Sequence, residues 1–335
     1  MSGDAFWGIT AVFVPASAPH VLANLHQFSA GVRRQGLSLL IVELAFDDEP
    51  FRVPDAAADR IVRLRTNTVL WHKERLINLG LRQLPQDCRF VAWLDADVLF
   101  EHEQWVAETR ARLAHAVVVQ PFEVACWLPE GATSAPGHLP AGHLSNLEGR
   151  EIAGFAAALG QAENRRRALA VNDQYWHTGF AWAARKDFLD RHGLYDRAIL
   201  GGGDLIAAHA FAADSDFLRG RHLYLRSIMP AERAAIGAWG ESVARDTDGL
   251  VGCIPGRVCH LYHGPLAGRR YVERQQILRD AGFDPSLDIA DDANGCWQWN
   301  SAKPALHSQV SDYFVSRVPR ADLVSAAGTV GSPTA

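Results

Sequence analysis

The sequence has 335 residues, of which 48% are hydrophobic and 21% charged, and its formal net charge at pH 7 is −5. A chain of this length and composition can bury a large core, as one large α/β domain or as two smaller ones. The acidic balance argues against a general polyanion binder, because there is no global basic field to attract nucleic acid.

The first half of the chain alternates between apolar, β-branched runs and segments of helical periodicity. Residues 8–14 and 37–44 predict two buried strands, and the segment between them repeats apolar residues at three- and four-residue steps until Gly36. A strand–helix–strand unit of this kind predicts parallel strands with a right-handed crossover.

The same alternation continues to the first candidate site. A shorter strand is predicted near residues 60–64, a helix over residues 71–84, and a strand over residues 90–94 that leads directly into Asp95. The pattern predicts an open, mostly parallel sheet, in which ligands bind beyond the carboxyl ends of the strands. We therefore expect Asp95 and Asp97 to lie at the ligand-binding edge.

Asp95 and Asp97 flank one alanine, and in an extended segment alternate side chains share a face. Two carboxylates at the end of a buried strand repel each other and are costly to desolvate, and a divalent cation relieves both problems. Hard oxygen ligands suit Mg²⁺ or Mn²⁺, which can in turn hold a diphosphate. A pair of acids that caps the following turn is the alternative interpretation.

The helix predicted over residues 71–84 carries charges on more than one face. Lys73 and Arg75 point in different directions, whereas Arg75 and Asn78 share a face. A cation near the strand ends could meet a phosphate, and Asn78 could bond a base or a sugar. A solvated helix face is the alternative, and it is the commoner use of such a pattern.

Two further motifs follow downstream. Three glycines at residues 201–203 form a flexible turn before Asp204, which could act as a general base or cap the helix predicted over residues 206–211. His260 and His263 are three residues apart, and in an extended segment such side chains face opposite ways. We therefore expect one histidine to bind a metal ion and the other to pack.

Taken together and in this order, these motifs resemble the GT-A glycosyltransferases, in the branch that contains family 2 enzymes and the β-1,4-galactosyltransferases. The resemblance extends over about residues 6–277. It includes the aromatic–basic–Leu-Asn-x-Gly helix at residues 71–80 and the Asp-x-Asp strand at residues 91–100. It also includes residues 177–188, which resemble the family's Gly-Gly-x-x-x-x-x-Lys-x-x-Phe stretch, and the His-Gly-Leu element at residues 192–194. Gly203 stands where the family has glutamate in its Gly-Gly-Glu-Asp motif, so acceptor identity cannot be transferred.

The resemblance implies a role for each matching residue. Asp204 falls on the catalytic-base position, and Asp97 and His263 on the metal-ligand positions for Mn²⁺ or Mg²⁺. The implied contacts to the nucleotide-sugar are Glu43, Trp71, Lys73, Asn78, Asp95, Gly202 and Gly203. Aromatic residues could stack on sugar faces, although large aromatics are more often core, and the candidates for acceptor contact are Trp176, His177 and Trp182.

The function implied is a metal-dependent, inverting transfer of a sugar from a nucleotide-diphosphate sugar, with UDP-sugar favoured, to an acceptor hydroxyl. A glycan, a lipid-linked sugar, a small molecule or a hydroxylated base in DNA are open as acceptors, and Arg165–Arg167 and Arg269-Arg270 could form a local phosphate-binding patch. The rival interpretations are a degenerate nucleotide-sugar-binding module, a haloacid-dehalogenase-type phosphatase and a nucleotidyltransferase.

The domain prediction follows the same motifs. We expect one GT-A domain over residues 1–280, with a nucleotide-binding half (1–100) and an acceptor half (101–280) that includes a mobile loop over residues 129–150. A helical extension (281–320) and a disordered tail (321–335) complete the chain. The scattered cysteines, the short apolar stretch near the N-terminus and the lack of any longer one predict reduced thiols, no transmembrane segment and a cytoplasmic location.

Overall fold

The computed structural model of the protein describes residues 5–13, 19–135, 137–143, 147–169, 176–264 and 274–316. Within these ranges the chain forms thirteen strands and twelve α-helices. The strands are β1 (Ala5–Phe13), β2 (Ser38–Phe46), β3 (Arg60–Thr66), β4 (Cys88–Leu94), β5 (Val98–Phe100), β6 (Val118–Gln120), β7 (Val124–Trp127), β8 (Arg150–Ala153), β9 (Ala181–Arg185), β10 (Val251–Cys253), β11 (Arg257–His260), β12 (Ile289–Asp291) and β13 (Trp297–Trp299). The helices are α1 (Pro19–Arg34), α2 (Lys73–Leu81), α3 (Trp105–Leu113), α4 (Phe155–Leu159), α5 (Ala162–Ala168), α6 (Lys186–His192), α7 (Gly203–Phe211), α8 (Ser215–Leu218), α9 (Leu223–Arg226), α10 (Pro230–Thr247), α11 (Arg274–Asp280) and α12 (Pro304–Val315).

A seven-stranded sheet in the order β10-β6-β9-β4-β1-β2-β3 forms the centre of the fold. The pairs β1–β2, β1–β4, β2–β3 and β6–β10 are parallel, and β9 runs antiparallel to its neighbours β4 and β6. The predicted fold class, an α/β fold with a mostly parallel sheet, is therefore confirmed. The sheet brings the carboxyl ends of β1, β2 and β4 to one edge, where the chain turns through Asp95 and Asp97.

Both faces of this sheet are covered by helices, because successive strand side chains point to opposite faces. In β1, Ile9 belongs to the core on the α2, α7 and α10 side, and Val12 belongs to the core on the α1 and α3 side. The apolar stripe predicted for the first helix is buried as expected, with Leu25 and Phe28 fully enclosed. Helix α1 ends before Gly36, whose φ of 88° suits glycine.

Two smaller sheets lie outside the central one. The sheet β5-β11-β7-β8 places the end of β11 beside the turn that follows β4, since His260 pairs with Val98 of β5. The pair β12–β13 belongs to residues 281–316, a segment that the sequence predicted to be helical. This segment shares a core with Leu70, Ile199 and Leu200 and so packs against the segments that precede α2 and α7.

The described parts of residues 129–150 contain no helix and no strand apart from the start of β8, and the predicted mobility of this loop stays a prediction. The tail over residues 321–335 lies outside the described residues. None of the helices in the described part of the chain combines the length and the apolar character that crossing a bilayer requires.

A buried acid on α10 gives this fold a testable pH dependence. Burial raises the pKa of Glu232 from 4.5 to about 8, and its Oε2 has no hydrogen-bond partner among the described residues. The pKa of Glu232 is higher in the folded state than in the unfolded state, so its protonation contributes to the stability of the fold. This stabilisation is complete below pH 4.5 and is lost as the pH rises towards 8. We expect Glu232→Gln to exceed the wild type in unfolding free energy at pH 8 by on the order of 3 kcal/mol, and to match it near pH 4.

Chemical denaturation at both pH values measures this difference. Glu241→Gln is the control, because Glu241 is an exposed residue of the same helix. Equal pH dependence in the wild type and Glu232→Gln would show that folding leaves the pKa of Glu232 unchanged.

Candidate functional site

A lysine held between two carboxylates lies at the carboxyl end of β4. Lys73 is the first residue of α2, and its Nζ lies 2.6 Å from Oδ1 of Asp95 and 3.0 Å from both carboxylate oxygens of Asp204. Asp95 directly follows β4, and Asp204 is the second residue of α7. The structure thus joins the helix, strand and glycine-loop motifs, which are far apart in sequence, in one cluster.

The charges of this cluster are strongly coupled. Burial disfavours the ammonium of Lys73, but the carboxylates of Asp204 and Asp95 outweigh it and raise the pKa of Lys73. Burial raises the pKa of Asp95 to about 6, with Lys73 opposing the shift and Asp204 and Asp97 adding to it. One ammonium faces several acids, so the cluster keeps an excess of negative charge.

The side chain of Lys73 has its partners within the protein. An ammonium has three N–H donors, and those of Lys73 face three carboxylate oxygens. Its side chain is only 10% exposed. Lys73 is therefore engaged in holding Asp95 and Asp204 in place, and the expected direct contact with a phosphate would require it to give up one of these acids.

A second cluster combines Asp97 with two histidines. Oδ2 of Asp97 lies 3.4 Å from Nε2 of His260 and 3.6 Å from Nε2 of His263. The expectation that only one of these histidines could serve a metal ion is wrong. Strand β11 ends at His260, and both rings face the same carboxylate with 4.7 Å between their centroids.

These three side chains could hold a metal ion, since one ligand atom from each lies within 4.8 Å of the others. Ligand bonds of roughly 2.0–2.2 Å at tetrahedral or wider angles separate two donor atoms by about the 3.4 and 3.6 Å found here. One carboxylate and two imidazoles favour a transition ion over Mg²⁺, which prefers oxygen ligands. The donor set fits a divalent cation with open positions for a substrate.

Phe180 connects the two clusters through a strained backbone. Its φ of 72° lies in the left-handed region, which is rare for a bulky residue and costs of order 1–3 kcal/mol. Its carbonyl accepts a hydrogen bond from the backbone N–H of Asp95 at 2.8 Å, and its ring stacks on His260 with 4.8 Å between centroids. The strain therefore coincides with contacts that position one residue of each cluster.

The glycine loop reaches the cluster in the conformation that its sequence requires. Gly201 and Gly202 have φ values of 85° and 109°, and Gly202 is the N-cap of α7. Such values favour glycine, and they turn the chain so that Asp204 enters the first turn of the helix beside Lys73.

Several other predicted site residues lie at this end of the sheet but have protein partners. Asn78 bonds the backbone N–H and carbonyl of Leu194 and the carboxylate of Asp196, so its amide is used within the protein. Glu43 accepts hydrogen bonds from the backbone N–H groups of residues 52 and 53 at the end of β2. Trp71 donates its indole N–H to Glu74 at 3.0 Å.

The aromatic candidates for acceptor contact separate into two groups. Trp182 lies in β9 with 0% exposure and donates its indole N–H to the carbonyl of Thr178, so its predicted contact with an acceptor is wrong. Strand β9 lies between β6 and β4, and helices cover both faces of the sheet there. A large side chain on β9 is therefore enclosed in the core. Trp176 and His177 are partly exposed, and His177 lies beside Gly179, which Asp204 also approaches.

The sequence assigned no separate role to two residues near this site, Glu74 and Phe180. Glu74 was one more charge on a helix face, and Phe180 belonged to the stretch over residues 177–188. His260 was recognised as a candidate, but only as an alternative to His263.

No protein-family model matches the sequence, and the search of curated proteins found no match. Among solved structures, the chain matches the Drosophila β1,4-galactosyltransferase 7 in complex with manganese, UDP-Gal and xylobiose, at 10% identity, over 90% of this chain and 98% of that one, with a TM-score of 0.40. It also matches glucosyl-3-phosphoglycerate synthase from Mycobacterium tuberculosis with Mn²⁺, UDP and phosphoglyceric acid, at 12% identity, over 89% and 87% of the two chains, with a TM-score of 0.36. A third match is 4-diphosphocytidyl-2C-methyl-D-erythritol synthase from Anaerococcus prevotii, at 12% identity, over 76% and 88%, with a TM-score of 0.35.

Glycosyltransferases are thus among the solved structures that this chain matches. At these identities and TM-scores the likeness carries no argument about substrate or mechanism.

Proposed function

We propose that this protein is a metal-dependent, inverting glycosyltransferase that moves a sugar from a nucleotide-diphosphate sugar, with UDP-sugar favoured, to an acceptor hydroxyl. The observation that carries the proposal is the adjacency of a cation site, Asp97–His260–His263, to an acid, Asp204, held by Lys73 at the same sheet edge. The cation would bind the diphosphate of the donor, and the acid would abstract the proton of the acceptor hydroxyl. The transfer therefore needs both groups at one site.

Asp204 is the general base of this mechanism. It accepts the proton of the acceptor hydroxyl as that oxygen attacks the anomeric carbon from the face opposite the leaving group, so the configuration inverts. Lys73 fixes the carboxylate through both of its oxygens, and the glycine turn sets its direction. Asp95, held by the same ammonium, contacts the nucleotide-sugar.

Asp97, His260 and His263 are the residues that would hold the cation, and their mixed oxygen and nitrogen donors favour Mn²⁺ over Mg²⁺. When bound, the ion supplies positive charge that stabilises the departing nucleoside diphosphate. The charge of the cation would be important for the leaving diphosphate, because the ammonium of Lys73 is already paired with Asp95 and Asp204.

The rival functions differ from this proposal in what they require. A phosphatase would use Asp95 as a nucleophile, but Asp95 follows the fourth strand and is paired with Lys73 at 2.6 Å. A degenerate binding module would bind nucleotide-sugar without transfer. The DNA acceptor would need Arg165–Arg167, which are largely exposed on α5, together with Arg269-Arg270, which lie outside the described residues.

Thermal unfolding with UDP-, GDP-, dTDP- and CDP-sugars, each with Mn²⁺ and with EDTA, tests the donor side of the proposal. A donor at a hundred times its Kd stabilises the native state by about 2.7 kcal/mol, which raises the unfolding midpoint visibly. We expect a shift with UDP-sugar and Mn²⁺ that EDTA abolishes. Folded protein that no nucleotide-sugar stabilises would overturn the proposal, and stabilisation without turnover would favour the binding module.

A further inference from the structure

The segment that joins α8 to α10 exposes arginines around one leucine. The exposed side chains over residues 219–226 are Arg219, Arg221, Leu223 and Arg226, and no other residue of this segment is exposed. Leu223 is 48% exposed, although it is a large hydrophobic residue. We call these four residues the arginine–leucine ridge. A basic surface of this kind contrasts with the protein as a whole, whose formal net charge is −5.

The ridge is held on the core from its inner side. Phe217 and Leu225 are fully buried, and they pack with Ile228 in one apolar cluster that also includes residues of α7 and α10. Leu223 and Arg226 both belong to α9 and share a face, because they are three residues apart. The core thus takes the other apolar residues of the segment and leaves Leu223 pointing outward between arginines.

The positive charge of the ridge is only partly neutralised by the protein. Arg221 pairs with Asp216 at 3.0 Å, but both side chains are about half exposed, so water screens this pair. Arg219 and Arg226 form no ion pair with any residue in the part of the chain that the structure describes. Two guanidinium groups beside Leu223 can therefore bind an anionic partner.

The combination of guanidinium groups and an exposed leucine matches the surface of an anionic bilayer. Arginines bind the phosphates and carboxylates of lipid headgroups, and a neighbouring leucine can move from water to the boundary of the acyl chains. A nucleic acid would provide phosphates for the arginines but would leave Leu223 in water. A lipid surface is the partner that satisfies both kinds of side chain.

We propose that the arginine–leucine ridge binds the protein to membranes that contain anionic lipids. None of the described helices can cross a bilayer, so this is binding at the surface of the membrane. The ridge adjoins the candidate site, because Tyr224 packs on the glycine loop before Asp204, with its hydroxyl 2.5 Å from the position of a Cβ on Gly202. One step rests on the proposed function: with Asp204 near the lipid surface, the acceptor is a lipid-linked sugar.

Sedimentation of the full chain with vesicles tests this binding without donor, cation or acceptor. The vesicles are phosphatidylcholine with and without phosphatidylserine, at low and at high salt. The variants are Arg219→Glu, Arg226→Glu, Leu223→Asp and Leu223→Trp. The controls are Arg110→Glu, in an exposed residue of α3 on the other face of the central sheet, and Leu250→Asp, in a leucine that is 66% exposed after α10.

We expect the wild type to bind vesicles that contain phosphatidylserine, to ignore phosphatidylcholine alone and to be released at high salt. Arg219→Glu and Arg226→Glu should each lower the partition coefficient about 30-fold, since each unit of charge contributes about fivefold near an anionic surface. Leu223→Asp should abolish binding and Leu223→Trp should strengthen it, because tryptophan favours the membrane interface. Both controls should bind as the wild type does, and thermal unfolding confirms that each variant is folded.

Other results would overturn the proposal. Folded wild-type protein that does not bind anionic vesicles would do so, and so would equal binding to phosphatidylcholine alone. Binding that both glutamate variants lose and Leu223→Asp keeps would indicate a soluble polyanion as the partner instead. Because the assay needs no donor, protein that binds vesicles but transfers no sugar would refute the proposed function and leave the ridge as a membrane-binding surface.

Discussion

Asp97→Asn is expected to abolish the stabilisation of the protein by UDP-sugar and Mn²⁺ and to lower turnover by at least about a thousandfold. Asp97 is the single carboxylate of the three-residue cation site, and its Oδ2 faces both imidazoles. Asparagine keeps the shape but removes the negative charge that pairs with a divalent ion. In the proposed mechanism, loss of the cation removes the positive charge that stabilises the diphosphate.

Calorimetric titration with Mn²⁺, with and without UDP, measures this effect. Asp87→Asn is the matched control, because Asp87 is exposed beside the opposite end of the same strand, β4. His260→Ala should weaken Mn²⁺ binding as His263→Ala does, since both rings reach Asp97. Normal Mn²⁺ affinity in Asp97→Asn would place the cation elsewhere in the molecule.

The fold of the first hundred residues was predictable because its elements are long and their apolar periodicity is unambiguous. The runs over residues 8–14, 37–44 and 90–94 all became strands of the central sheet, and the helix expected over residues 71–84 is α2, Lys73–Leu81. Parallel strands buried on both faces are almost continuously apolar, which makes them stand out in a sequence. The end of the last run also located Asp95 and Asp97.

The side chains that contact Asp95, Asp97 and Asp204 were only partly predictable from the sequence. These contacts depend on how the chain changes direction after each strand. Spacing alone suggested that His260 and His263 diverge, but the strand ends at His260 and the rings converge. Phe180 could not be foreseen, because nothing local marks an aromatic residue with a φ of 72°. Its conformation is imposed by tertiary contacts with the turn at Asp95 and with His260.

Long-range packing also gives two residues surroundings that the sequence did not indicate. Gly203 appeared from the sequence to be a lost acid, and the structure shows Glu74 in the space beside it. Lys73 appeared to be a phosphate ligand, and the structure shows it bonded to two carboxylates. Both changes involve residues about 130 positions apart, a separation at which spacing and periodicity carry no information.

Asp204→Asn is expected to lower kcat for transfer by about a thousandfold while the KM of the nucleotide-sugar stays within a few-fold of the wild type, as removal of a general base predicts. Lys73 would still be bonded to Asp95, and the cation site does not include Asp204. The variant should therefore bind donor and Mn²⁺ normally in the thermal assay, which separates it from Asp97→Asn.

Asp187→Asn is the matched control, because Asp187 is the second residue of α6, as Asp204 is of α7, and its side chain is 70% exposed. NMR of the product made by the wild type adds an independent constraint. An inverted anomeric centre is the outcome that a single displacement assisted by Asp204 requires, whereas a retained centre would exclude that role. Full activity in Asp204→Asn would leave this carboxylate with only its structural bond to Lys73 and would exclude it as the base.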